Sequence, residues 1–185
     1  MPALSMQNER PTRLNEALLG TALVAVVAAA IWQAPAANWD LALFGILLGF
    51  SVFSDVMSIE TESRLKISGN FLALVLAMVL LGGTPAAVIG IVSILAGWLR
   101  FREGGHDLLV NSLTYIAFPL AVGVGFHEAV VVTQIESADP AFYVLVFGAF
   151  IAALGLNFSM IAADACYLER SSFVAKVREN RKSVV

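Results

Sequence analysis

The chain is poor in the residues that build soluble catalytic sites. It holds one cysteine, Cys166, and two histidines, and only 14% of its 185 residues are charged. A single cysteine makes neither an internal disulfide nor a cysteine-based metal site. The Gly-x-Ser-x-Gly elbow, the His-Glu-x-x-His helix and the glycine-rich phosphate loop are all missing. These absences point away from an enzyme, and neither a cofactor nor a metal is expected. Eleven basic residues stand against 14 acidic ones. That balance excludes a nucleic-acid-binding surface as the main theme.

Apolar residues, by contrast, make up 59% of the chain, above the ~45–50% of a typical soluble domain. So short a chain leaves much of its surface outside any core, and a lipid solvent is the simpler account. Residues 17–39, 67–99, 108–127 and 140–163 carry no formal charge, and residues 41–59 carry only Asp55. A crossing helix needs about 20 mostly apolar residues. The 67–99 run is too long for one span and has Gly82-Gly83-Thr84-Pro85 at its centre, where one helix stops and another starts. The predicted fold is therefore all-α. It is a polytopic six-helix transmembrane bundle with helices near 16–34, 41–59, 64–82, 85–101, 107–127 and 141–167. Helices three and four form a short hairpin that either spans or re-enters. The expected organisation is a tail at 1–14, the bundle at 15–168 and a basic juxtamembrane tail at 169–185.

The basic residues orient the bundle. Arg10 and Arg13, Arg64 and Lys66, Arg100 and Arg102, and the C-terminal group from Arg170 to Lys182 fall on alternate loops, so all 11 lie on one side. The positive-inside rule makes that side cytoplasmic. Both termini are then inside, and the expected location is the cytoplasmic membrane. His106 and His127 fall on opposite faces. His127 with Glu128, Glu136, Asp139 and Asp40 marks a loose outer group, for which a solvated helix end is the plainer reading. Asp107 is expected near a helix start. Phe173, Val174 and Val177 share a face of the basic tail, which reads as an interfacial helix on anionic lipid or as a solvated tail.

Polar residues at membrane depth are costly and default to functional candidates. Asp55, Asn70, Asn111, Tyr115, Asn157 and Asp164 gather in the cytoplasmic half. They are read either as interhelical hydrogen bonds or as the lining of a small-ligand pocket. Asp55 is the sharpest of them, since a carboxylate there is paired, protonated or wet. Small residues recur at helical spacing, with Gly45 and Gly49 on helix two, Gly90 on helix four, and Gly148 and Gly155 on helix six. Such faces let helices approach closely, and Gly45 and Gly49 are also placed to dock a partner helix. Pro119 is expected to kink helix five and free a backbone carbonyl.

The stretch Ile67-Ser68-Gly69-Asn70-Phe71-Leu72-Ala73-Leu74, with Leu80 to Ala87, Asn111 to Pro119 and Leu156-Asn157 through Arg178-Glu179, resembles the N-terminal membrane region of bacterial HD-GYP-type signalling proteins. The resemblance implies a multi-pass sensory or anchoring domain that precedes a cytoplasmic output domain. The Gly-Tyr-Pro motif of that output domain is absent here and His106-Asp107 is a lone His-Asp pair, so its catalysis does not carry over. A looser resemblance is to the substrate-binding subunits of energy-coupling-factor vitamin transporters, whose helix-one seam Ala25 and Ala29 would match. The partners implied are the lipid bilayer, a cytoplasmic output domain or partner protein, and a second copy of the chain as a homodimer.

Overall fold

The computed structural model describes residues 13–57, 59–60, 66–67, 69–102 and 104–182. It contains six α-helices: α1 (Arg13–Gln33), α2 (Leu41–Val56), α3 (Asn70–Leu80), α4 (Gly83–Phe101), α5 (Gly105–Thr133) and α6 (Pro140–Lys182). A 3-10 turn at Ala34–Ala36 follows α1. Between α2 and α3, β1 (Ile59–Glu60) pairs antiparallel with β2 (Lys66–Ile67), Ile59 opposite Ile67. The all-α expectation is amended by this two-residue ladder alone among the described residues. Most of the 1–14 tail lies outside the described residues.

Four helices, α1, α4, α5 and the first part of α6, are long and apolar enough to cross a membrane, whereas α2 and α3 are shorter apolar helices. The expected third helix, 64–82, is corrected to Asn70–Leu80. At 1.5 Å per residue it is only about 16 Å long, short of the ~30 Å hydrocarbon core. α6 runs unbroken to Lys182, so the chain after residue 168 continues the last helix and is not a separate interfacial one.

α3 is the axis of the bundle. Ala73, Leu74, Ala77 and Met78 have no exposed surface, and Leu47 of α2, Ile89 of α4, Phe118 and Val122 of α5 and Ala153 of α6 pack around them. Phe71 stacks on Phe118 and meets Phe150 edge-on. Large apolar side chains such as Ile46, Phe53, Val144, Phe147 and Phe158 face outward. Apolar side chains thus lie on the outer faces as well as in the core, an arrangement that suits an apolar solvent.

Two ends can be told apart by their loops. At the acidic end lie the 34–40 and 134–139 connections and the α3–α4 turn. At the basic end lie the β1–β2 ladder with Lys66 and the end of α4 with Arg100 and Arg102. Asp40 and Asp139 are used there as caps: Asp40 Oδ1 accepts from the amides of Ala42 and Leu43 at 3.0 and 3.1 Å, and Asp139 Oδ1 from Ala141 at 2.9 Å. The last carbonyls of a helix lack partners within it. For α3 they are supplied from outside, since His127 Nε2–H donates to Met78 O at 3.1 Å and the Asn38 amide to Leu81 O at 2.9 Å. His127 is thus a cap on a neighbouring helix, and the described residues contain no group of three ligands able to hold a metal.

The α3–α4 turn depends on Gly82, at φ 106° and ψ 174°. That region of backbone space is open essentially to glycine alone. Space is not limiting, for the nearest atom to an added Cβ is His127 Nε2 at 3.9 Å. Gly82→Ala is expected to cost about 1–3 kcal/mol through the backbone, read as a lowered melting temperature in detergent. An unchanged melt would mean the turn has another conformation.

α4 and α5 form the tightest pair. A Cβ on Gly90 would lie 2.5 Å from Tyr115 O, and one on Gly123 would lie 2.5 Å from Gly83 Cα. Gly90 is therefore a packing glycine as expected. The seam role read for the other four is corrected: a Cβ on Gly45, Gly49, Gly148 or Gly155 would meet nothing within 4 Å. All four are exposed, because α3 occupies the centre that the α2 and α6 stripes would otherwise share. Gly148 instead borders an apolar groove of about 350 Å³ with Val122, Gly125 and Ala152.

Candidate functional site

Four of the six polar residues singled out by depth fall into two sites on either side of α5. The first lies between α2, α3, α4 and α5. Ser51, Asn70 and Ser93 are wholly buried, with at most 1% exposed. The Ser51 hydroxyl donates to Asn70 Oδ1, and Ser51 and Ser93 share a hydrogen bond at 2.7 Å. A hydroxyl has one proton. Ser51 gives its own to Asn70, so Ser93 is the donor to Ser51. This chain of bonds joins three helices at one level, and that level is where α3 begins.

One turn further along α2, Asp55 is also buried, at 3% exposure. It lies within electrostatic reach of Tyr115 on α5, and Tyr115 meets Phe118 edge-on. Asp55, Asn70 and Tyr115 are thus brought into one region. The Tyr115 carbonyl is the group Pro119 leaves without its helical donor, and it is this oxygen that lies against Gly90.

The second site lies between α1, α5 and α6, toward the basic end. A cavity of about 320 Å³ is lined by Asn15 and Leu19 of α1, Thr114 of α5, and Met160 and Asp164 of α6, among others. Thr114 and Tyr115 are neighbours in sequence. Their ~100° separation around α5 puts one in each site. His106, from the first turn of α5, places Nε2 3.1 and 3.2 Å from the two Asp164 oxygens. This pair ties the start of α5 to α6, with side chains 13% and 20% exposed. Asn15 Nδ2, Thr114 Oγ1, His106 Nδ1 and Asn157 Oδ1 are buried with no hydrogen-bond partner.

The structure therefore does not gather the six expected residues into one pocket. Asp164 belongs to the α1–α5–α6 cavity. Asn111 is half-buried on α5, one turn before Tyr115, and Asn157 is half-buried on α6; neither is among the residues lining the cavity. Sequence reading missed Ser51, Asn15 and the pairing of His106 with Asp164. Ser51 had a usable signal, its i, i+4 spacing from Asp55. His106 had none, since its partner is 58 positions away. A third cavity, of about 310 Å³ and lined by Trp32, Gln33, Thr84, His127 and Glu128, opens at the acidic end. No protein-family model, curated protein or solved structure matches the chain.

Proposed function

We propose that the chain is a six-helix membrane domain of a bacterial signal-transduction protein. It sits in the cytoplasmic membrane with both termini in the cytosol, and it passes a membrane or small-ligand signal to a cytoplasmic partner or output module through α6. In this reading α2 and α3 complete the bundle, with the β1–β2 ladder at the basic face. The observation that carries it is the length of α6. Its 43 residues form one helix, about 65 Å long at 1.5 Å per residue, roughly twice what a bilayer core requires. The apolar part ends near Asp164, where the His106 bond holds the helix. A change in packing there tilts or turns the whole rod, so two packings of the bundle become two positions of whatever α6 carries. With a reporter enzyme fused after Val185, inserting one residue after Asp164 turns the rod by ~100° and is expected to change output. Inserting seven nearly restores the phase and the output. Identical output from every correctly inserted variant would overturn the reading.

One observation favours a second reading, the substrate-binding subunit of a small-molecule transporter. The acidic-end cavity opens on the face that orientation by charge makes external, and Ala25 and Ala29 are exposed on α1, free to meet a coupling subunit. Stabilisation of the purified protein by a vitamin, abolished by Trp32→Ala, would support it over the first.

A further inference from the structure

We infer that the cavity between α1, α5 and α6 binds the ethanolamine unit, an ammonium beside an oxygen acceptor, carried on an apolar body. The inference names the ligand chemistry for the sensory reading above, but it is tested by binding alone. Its failure is therefore separate from a failure of α6 to transmit.

The first support is the charge of the cavity. His106 Nδ1 is buried without a partner. The His106 Nε2 bonds the Asp164 carboxylate. Asp164 is the one acidic residue among the described residues that line the cavity, and none of them is basic. An ammonium supplies the missing cation through charge-assisted bonds.

The second support is a hydroxyl left unspent. Thr21, Thr133 and Ser159 each donate to the carbonyl four residues back, at 2.8, 2.6 and 2.7 Å. This is the usual way a hydroxyl is satisfied on an apolar helix. Thr114, with no exposed surface, makes no such bond, and Asn15 Nδ2 across the cavity is equally unpartnered. Both are donors. A ligand oxygen next to the ammonium accepts from them, which a simple alkylamine does not do.

The third support is the remainder of the wall. Leu19, Val110, Leu113, Met160 and Ala163 are apolar, and the volume is near the lower limit of small-molecule pockets, ~300–1,000 Å³. The cavity accommodates a small polar head with the start of an alkyl chain. Two sources carry that chemistry, the headgroup of phosphatidylethanolamine and a free amphiphilic amino alcohol.

The full chain, purified in a maltoside detergent, is titrated with short-chain phosphatidylethanolamine, with phosphatidylglycerol of the same chains, with 2-amino-1-decanol and with decane-1,2-diol. Melting temperature and calorimetry give the affinities. The amine-bearing member of each pair is expected to bind at least about tenfold more tightly. Selectivity confined to the lipid pair identifies the headgroup as the source; selectivity confined to the alcohol pair identifies the free amine. Asp164→Asn, which retains an acceptor for His106, is expected to erase the preference for the amine, and Thr114→Val to weaken both amine ligands. If Asp164→Asn does not fold, Thr114→Val and Asn15→Leu decide. Equal binding of amine and non-amine partners, or unchanged amine affinity in the folded variants, overturns the inference.

Discussion

Gly90→Leu is expected to prevent assembly of the bundle, and Gly90→Ala to lower its stability by about 1–3 kcal/mol. The first atom an added Cβ meets is Tyr115 O at 2.5 Å, followed by Tyr115 C and Cβ at 3.4 Å. A side-chain neighbour could turn aside, but a backbone oxygen moves only if α5 moves. α5 is held on its other faces by Phe118 and Val122 against α3. The carbonyl sits there for a local reason: Pro119 has no N–H to offer it. Glycine at 90 and proline at 119 thus act together, one exposing an oxygen and the other making room for it. Gly45→Ala is the matched control, because nothing lies within 4 Å of its Cβ. Melting in detergent is expected to leave Gly45→Ala at or above the parent while Gly90→Ala falls. Equal melts for the two would show that α4 and α5 do not approach as described.

The buried hydroxyl chain yields the second large effect, and it is asymmetric. Ser51 both donates to Asn70 and accepts from Ser93. Ser51→Ala removes both of these buried bonds, at about 0.5–1.5 kcal/mol each. Ser93→Ala removes only a donor, and Ser51 still bonds Asn70. The expected order of melting temperatures is parent, then Ser93→Ala, then Ser51→Ala. The double variant is expected to be no less stable than Ser51→Ala, because the Ser93 hydroxyl is then no longer there to be orphaned. Additive losses would mean that the three side chains do not form one network.

These two sites differ in how far they could be read in advance. Pro119 and Gly90 both stand out in the sequence as features inside apolar runs, and a freed carbonyl follows from proline chemistry. That the oxygen meets Gly90 in particular follows from the antiparallel register of α4 on α5, which their packing determines in space. Asn70 and Asp55 were conspicuous because polar groups in lipid are expensive. Ser51 carried only its spacing from Asp55 as a signal, since a serine on an apolar helix ordinarily satisfies itself by bonding the carbonyl four residues back. Only three helices meeting at one level give it better partners. The stripes on α2 and α6 misled for a related reason. Small residues at steps of three and four mark a face on which a helix can be approached closely, but not whether anything approaches it.

The helical, apolar character of this protein and its helix breaks near 34–40 and 82–85 could be read from residue order, whereas α5 runs to Thr133, past the end at 127 that the uncharged run suggested. Each depends on local quantities: the length of an uncharged run, the conformation open to a glycine, the cost of a charge in hydrocarbon. The central place of the short α3, the separation of Asp164 from Asp55, Asn70 and Tyr115, and the bond from His106 to Asp164 were decided only by tertiary packing. Contacts between segments many positions apart depend on rotation and depth of each helix against its neighbours, and in an apolar solvent every face of a helix looks equally eligible until a neighbour covers it.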